Sequence, residues 1–380
     1  MLREGRPPKI TGPLVPFLGE ATVPQTEEKV LITGNVAAAE GAVRAGCRFY
    51  FGYPITPQND LPEYMSARMP EVGGVFIQAE SELAAISLVH GAAAAGGRAM
   101  TSSSSPGISL KQEGLSYLAG SELPALIVNV QRGGPGLGDV RCAQGDYFQA
   151  TRGGGHGDYR LLVLAPHTVQ ETGDLAYEAF DLAEKWRCPV MILSDQQLGQ
   201  MMEPVVLPPM RDLPAVQDHP WALTGAAGGR PRRIVKSFYW RPGELEEFNK
   251  RLREKYLVME RDLPRWEEDR TEDAEIVLVA YGTCARIARD VVLHARQEGI
   301  RAGLVRPITL WPFPAAPLAA AAKRGARFLV VEMSWGQMME DVKLSLYGTP
   351  RPVDLHWRAG GGVPGVHEVL ERVTALAKSN

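Results

Sequence analysis

The sequence has no apolar run near the roughly 20 residues that a membrane-crossing helix needs. Its first thirty residues also lack the basic, apolar, small-residue order of a secretory signal. A cytoplasmic chain with no membrane partner is expected. Positive charge is not in excess either: 41 Lys and Arg stand against 44 Asp and Glu, a net charge of -3. With no basic field to attract phosphate backbones, no nucleic acid partner is expected. Cysteine is scarce, and Cys47, Cys142, Cys188 and Cys284 lie too far apart for a CxxC pair or an iron-sulfur run. They read as isolated core or surface thiols. Any metal-sulfur cluster that the chemistry requires then belongs to another polypeptide. The glycines of QRGGPGLGD do not fit GxGxxG, and no GxxxxGKS/T occurs, which argues against Rossmann and P-loop sites.

What is present is enough chain, 380 residues, for two or three domains. Residues 1–28 are proline-rich and aperiodic and predict an extended arm of the kind that lies on a neighbouring subunit. From Lys29 strand and helix patterns alternate. VLITGN, a helix over 36–45 and RFYFGYPIT predict a βαβ unit. Then come the strand GGVFIQAE, a small-residue helix from Ser81 to about Gly96, the strand RAMTSS, a helix over 109–119 and the strand PALIVNVQR. RLLVLAP, a helix over 169–186 and CPVMILSD complete a first domain near residue 206. This rhythm implies a mostly parallel sheet with helices on both faces and its site at the strand carboxyl ends.

Three loops fall there: YPITP, TSSSSPG and QRGGPGLG. Two prolines fix the backbone around Thr56. The hydroxyls of Ser102–Ser105 before Pro106 and Gly107 predict a polar concavity at a helix N-terminus. Arg132 suits carboxylate recognition through its planar fork, or else a salt bridge to Asp139 or Asp146. Ser81 is a natural N-cap, which would hold the Glu82 carboxylate beside a strand end, with Glu80 as its rival. His156, flanked by glycines with no second ligand at useful spacing, reads as a hydrogen-bonding residue. Residues 207–273 read as a linker and a helical connector with apolar spacing at Leu245, Phe248, Leu252 and Leu263. Residues 274–380 read as a smaller α/β domain, without a titratable cluster, that serves packing and assembly.

Taken together, YPITP, ESELAAISLVHGA, TSSSSPGISLKQEG, NVQRGGPGLGD and DYFQATRGGGHGDYR resemble the alpha subunit of 2-oxoacid:ferredoxin oxidoreductases of the 2-oxoisovalerate and 2-oxoglutarate types. The resemblance covers about residues 29–380 and is dense to about 206. It implies a thiamine-diphosphate-binding, pyrimidine-type parallel-sheet domain over 29–206 and a transketolase-C-terminal-like α/β domain over 274–380. The family's glutamate, followed nine positions later by a glycine, fits Glu82 with Gly91, so Glu82 is expected to be the cofactor-activating carboxylate. Protonated and hydrogen-bonded to the pyrimidine ring nitrogen, it would favour the imino tautomer that deprotonates the thiazolium carbon. Burial favours the protonated carboxyl and a helix N-terminus the ionised one; an enclosed, partner-covered site is expected to decide for protonation. Thr56 and Arg132 match positions near substrate and cofactor, and Ser104 and Gly107 join Glu82 and Thr56 as expected cofactor-binding residues.

The resemblance has one gap. The GDG motif and downstream asparagine that hold magnesium and the diphosphate in thiamine enzymes are missing, since Gly157-Asp158-Tyr159 lacks the second glycine. The diphosphate, the magnesium and the iron-sulfur clusters are therefore expected on beta, gamma and delta-type partner subunits, with coenzyme A as co-substrate and ferredoxin as acceptor. The implied reaction is oxidative decarboxylation of a 2-oxoacid, branched-chain favoured, to acyl-coenzyme A and carbon dioxide. A lipoamide-linked 2-oxoacid dehydrogenase component and a non-catalytic scaffold subunit are the alternatives.

Overall fold

The structure, a computed structural model, describes residues 9–11 and 28–379. Most of the arm expected over 1–28 thus lies outside the described residues. Its strand β1 (Lys9–Thr11) pairs with a strand of this same chain. From Lys29 follow β2 (Lys29–Thr33), α1 (Gly34–Arg44), β3 (Phe49–Gly52), α2 (Asp60–Glu71), β4 (Val75–Gln78), α3 (Glu82–Ala94), β5 (Ala99–Ser103), α4 (Ser105–Gly120) and β6 (Leu126–Gly133). A hairpin strand β7 (Asp139–Cys142) and α5 (Tyr147–Arg152) lead into β8 (Leu162–Leu164), α6 (Val169–Trp186), β9 (Val190–Asp195), α7 (Gln196–Gln200) and β10 (Met202–Val206). The second half holds α8 (Glu244–Asp262), β11 (Trp266–Asp269), β12 (Ile276–Val279), α9 (Gly282–Gln297), β13 (Ala302–Pro307), β14 (Thr309–Trp311), α10 (Ala315–Lys323), β15 (Arg327–Glu332), α11 (Gln337–Ser345), β16 (Val353–Trp357) and α12 (Val366–Lys378).

The first sheet has the order β14-β8-β9-β6-β5-β3-β4, with β7 paired to β6. Along that path the pairs are parallel except β14 with β8. Every residue of β5, β6 and β9 is buried, as a strand covered by helices on both faces must be. The second sheet has the order β1-β11-β13-β12-β15-β16, parallel from β13 to β16. The fold is mixed α/β with two mainly parallel sheets.

Three local expectations are corrected. The predicted βαβ unit does not form, because β2 leaves the main sheet and pairs antiparallel with β10, Thr33 opposite Met202. A strand-like period does not name a strand's partner. RFYFGYPIT stops being strand at Gly52, two residues before Pro54, since proline has no N–H for the ladder. Helix α4 begins at Ser105 and not at Ser109, because Pro106 sits in its first turn, where a missing N–H costs nothing. Ser102 and Ser103 accordingly belong to β5.

In the stretch read as a connector, α8 buries Phe248, Leu252, Tyr256 and Met259, but Leu245 on its first turn is exposed. Within the same stretch β11 joins the second sheet. The second half also carries buried charge, contrary to expectation. Arg306 is wholly buried and reaches both Glu171 on α6 and Glu267 on β11. Asp341 accepts from Tyr147 Oη at 2.5 Å and from Arg152. Glu332 is buried against the Ser334 hydroxyl and the N–H groups that open α11. Asp195 at the end of β9 accepts from Thr283 N and Oγ1 across the same junction. Arg306, Asp341 and Asp195 each link the two halves of the chain, whereas Glu332 caps α11 within the second.

Candidate active site

Four adjacent strands, β6, β5, β3 and β4, end on the same side of the first sheet, and each delivers one group of the expected site. After β4, Ser81 adopts an extended conformation and its hydroxyl accepts from Ala84 N at 3.2 Å, capping α3. The cap fixes the next carboxylate, Glu82, at the strand's carboxyl end. Glu82 is buried whereas Glu80 is exposed.

Gly91, nine residues on, is exposed, and a methyl group there would meet nothing within 4 Å. Close packing is therefore not what requires it. The glycines that let α4 approach α3 are Gly107 and Gly114. A Cβ on Gly107 would lie 2.1 Å from Ser103 Oγ and 2.7 Å from Glu82 Oε1, and one on Gly114 would lie 2.4 Å from Ile86. Gly107 is thus placed directly against the Glu82 carboxyl, as a cradle that a side chain would fill.

After β3, Thr56 has its hydroxyl within 3.2 Å of Asn59 Nδ2, which donates to it. Its carbonyl accepts from Arg132 Nη1 at 2.9 Å, and the Arg132 Nη2 donates to Leu137 O at 2.9 Å. Arg132, at the end of β6, is buried. Its alternative as an ion pair with Asp139 or Asp146 is not realised: Asp139 pairs with Arg141, and Asp146 accepts from Ser105 Oγ and Asn129 Nδ2. The serine run does not form an open polar loop. Ser102, Ser103 and Ser104 are wholly buried, and among the described residues only Ser102 and Ser105 of the run find partners for their hydroxyls, toward Tyr50 and Gln58 and toward Arg132 and Asp146.

Several buried polar atoms remain without a partner among the described residues, including Thr101 Oγ1, Ser103 Oγ, Ser104 Oγ, Arg132 Nε, Asn129 Oδ1 and Lys111 Nζ. Buried polar groups are normally satisfied; of these orphans, Ser103 Oγ lies with the Glu82 carboxyl against Gly107, and the others are carried by β5, β6, α4 and the turn before α4, which fits a polar group held at these strand ends. Lys111 was not singled out in the sequence. Its one readable signal is its place four residues after Gly107, on the same face of α4.

The other singled-out residues stand apart. His156 is exposed, its ring edge-on to Tyr117 and its carbonyl accepting from Ser116 Oγ. All four cysteines are buried and free, and burial pushes the Cys47 thiol up to about 12 and the Cys188 thiol to about 11. Among the described residues no His, Cys, Asp or Glu group could hold a metal ion, and no helix is long and apolar enough to cross a membrane. A surface groove along α8 beside Asp158 and Arg160 shares no lining residue with this site.

Comparison with known proteins bears on the same elements. Residues 40–255 match the family model described as pyruvate flavodoxin/ferredoxin oxidoreductase, thiamine diP-bdg, and residues 274–369 match pyruvate:ferredoxin oxidoreductase core domain II. The ketoisovalerate oxidoreductase subunit VorB of Methanothermobacter thermautotrophicus is 51% identical over 349 residues, covering 91% of this chain and 97% of that protein. The 2-oxoglutarate synthase subunit KorA of the same organism is 38% identical over 92% of this chain and 99% of its own length. Among solved structures, the 2-oxoglutarate:ferredoxin oxidoreductase from Magnetococcus marinus, with 2-oxoglutarate, coenzyme A and succinyl-CoA bound, superposes with a TM-score of 0.83 at 27% identity. That match covers 92% of this chain and 66% of the solved one. A transketolase from Campylobacter jejuni, 11% identical with a TM-score of 0.52, shares the fold alone. The chain belongs to the pyruvate flavodoxin/ferredoxin oxidoreductase family, with a thiamine-diphosphate-binding domain followed by the family's core domain II.

Proposed function

We propose that this chain is the alpha subunit of a multi-subunit, cytoplasmic 2-oxoacid:ferredoxin oxidoreductase that converts a branched-chain 2-oxoacid and coenzyme A to acyl-coenzyme A and carbon dioxide. The observation that carries the reading is Glu82, buried behind its Ser81 cap and set against Gly107 beside the unsatisfied Ser103 hydroxyl. The 51% identity to a ketoisovalerate oxidoreductase subunit supports the branched-chain preference. When bound, thiamine diphosphate supplies the carbon nucleophile and the electron sink for decarboxylation.

The chain's own residues prepare that chemistry. Glu82 holds a proton at its carboxyl for the pyrimidine ring nitrogen. Gly107 would leave room for that ring, and the Ser104 hydroxyl and the Thr56 segment would help to hold it. Arg132, fixed by two backbone carbonyls, keeps its Nε free for the substrate carboxylate. Exposed Leu83, Leu110 and Leu137 around these elements support coverage by a partner. That partner is a beta subunit with the diphosphate and magnesium motif, while gamma and iron-sulfur delta-type subunits carry electrons to ferredoxin.

Reduction of a low-potential acceptor by the complete complex, compared across 2-oxoisovalerate, 2-oxoglutarate, pyruvate and an aryl 2-oxoacid, tests the reading. 2-Oxoisovalerate is expected to be fastest, and preference for 2-oxoglutarate overturns the substrate assignment. Arg132→Ala is expected to raise KM for the 2-oxoacid at least about tenfold with kcat changed less, the worth of one charged hydrogen bond. An unchanged KM removes its carboxylate-binding role. Gly107→Ala forces Ser103 or Glu82 aside, an overpacking cost of about 1–3 kcal/mol. Calorimetric titration should show thiamine diphosphate binding weakened about fivefold or more, and equal affinity would contradict the cradle.

A further inference from the structure

Lys111 is wholly buried in α4, and its Nζ has no hydrogen-bond partner among the described residues. A buried, unpaired ammonium costs several kcal/mol, so an amine kept in such a place calls for a reason. One turn earlier on the same helix, Gly107 touches the Glu82 carboxyl. Lys111 therefore springs from the face of α4 that Gly107 turns toward the Glu82 carboxyl, and its amine is enclosed away from solvent.

We propose that Lys111 is a positioning residue that exchanges one proton with Glu82, storing it as an ammonium when the carboxylate is ionised and returning it when the cofactor ring nitrogen requires a carboxylic acid. This rests on the role of Glu82 proposed above. The transfer moves one proton from Nζ to a carboxylate oxygen and turns an ammonium and a carboxylate into an amine and a carboxylic acid, with no change in net charge. Nζ makes no hydrogen bond in the structure, and its flexible four-carbon stem lets it approach the carboxylate.

The surroundings agree. Burial lowers the Lys111 amine to about 8, against the upward pull of Glu82, so both of its protonation states are accessible near neutral pH. Among the described residues, Glu82 is the charged group that acts on the amine, and its neighbours on the packed elements are engaged elsewhere. On β6, Arg132 is committed to Thr56 and Leu137. Asp146, pushed up by burial, is held by Ser105 and Asn129. His90 on α3, lowered by burial, contacts Ser121, and Glu113 on α4 accepts from Tyr117. A coupled pair loses its last proton at a value belonging to both groups. That loss sets the alkaline limit of proton delivery to the cofactor.

The test is the exchange of the C2 proton of bound thiamine diphosphate for deuterium, followed against pH in the complete complex loaded with cofactor and magnesium. In the wild type, exchange should fall as pH rises through the pair's last proton loss. In Lys111→Met the carboxyl holds the proton alone, so this alkaline limb should move down by about one pH unit or more. Cofactor binding, measured by calorimetry, should persist. In Lys111→Arg the guanidinium never gives up a proton and its fixed charge favours the ionised carboxylate, so the alkaline limb should move down at least as far as in Lys111→Met. Lys111→Leu repeats the first arm should the Met variant fail to assemble. An alkaline limb that stays in place or moves up in the Met, Leu or Arg variant overturns the proposal. Glu82→Gln run alongside separates the two ideas: if it retains exchange, the role of Glu82 falls, and if it loses exchange while the Met limb stays put, only Lys111 falls.

Discussion

A Glu82→Gln subunit, assembled with its partners, is expected to lose turnover at least about a hundredfold while the complex stays intact. Proton transfer by a placed side chain contributes on the order of 10² to 10⁴ in rate, and glutamine keeps the shape but its amide does not give up a proton to a ring nitrogen. Ser81 would still cap α3, because the cap uses the Ser81 hydroxyl and Ala84 N and not the carboxylate. Size-exclusion chromatography should therefore show an unchanged assembly beside the lost acceptor reduction. Full turnover in this variant would dismiss Glu82 as the cofactor-activating residue.

Arg306→Met should produce the largest loss of stability, about 3–5 kcal/mol at neutral pH, the cost of breaking a buried ion pair by removing one partner. Arg306 donates to the two Glu171 oxygens at 2.9 and 2.8 Å and to Glu267 at 3.0 Å. Burial pushes the Glu171 carboxyl up, but Arg306 and His167 outweigh it and hold it at about 2. A carboxyl lowered in the folded state stabilises above its unfolded value and loses that contribution as pH falls toward 2. The gap between variant and wild type in urea unfolding should therefore narrow between pH 7 and pH 3. A gap independent of pH would mean that packing, and not the ion pair, is what the variant loses.

Much of this site could be read from residue order because its parts are local. Ser81 followed by Glu82 is a cap and a first-turn carboxylate whatever lies around them, and the alternation from Lys29 fixes a parallel sheet whose strand ends face one way. The rest depended on partners distant in sequence. Nothing in VLIT says that it will pair with Met202–Val206, since strand periodicity carries no address. RAMTSS was legible as a strand to Ser103, but serine also favours caps and turns, so the run read as a polar loop as well, and only the fold shows Ser102, Ser103 and Ser104 wholly buried. Lys111 was invisible for a different reason: a lysine three residues past Ile108 ordinarily reads as a solvated helix position, and only the close approach permitted by Gly107 and Gly114 encloses it. Arg132 could be read as a charge at a strand end, but only the folded chain shows that carbonyls, and not Asp139 or Asp146, anchor it.

Strand β14 has a mechanical meaning. It belongs to the second half of the chain but adds itself to the edge of the first sheet, Thr309 opposite Leu164 and Trp311 opposite Val163. Main-chain hydrogen bonds therefore cross from one half to the other, and Ala165 N donates to Ile308 O at 2.8 Å beside them. Swinging the two halves apart at this junction would break those main-chain hydrogen bonds. Under the function proposed above, a ligand would therefore enter or leave by movement of the partner subunit and not by parting of these two halves.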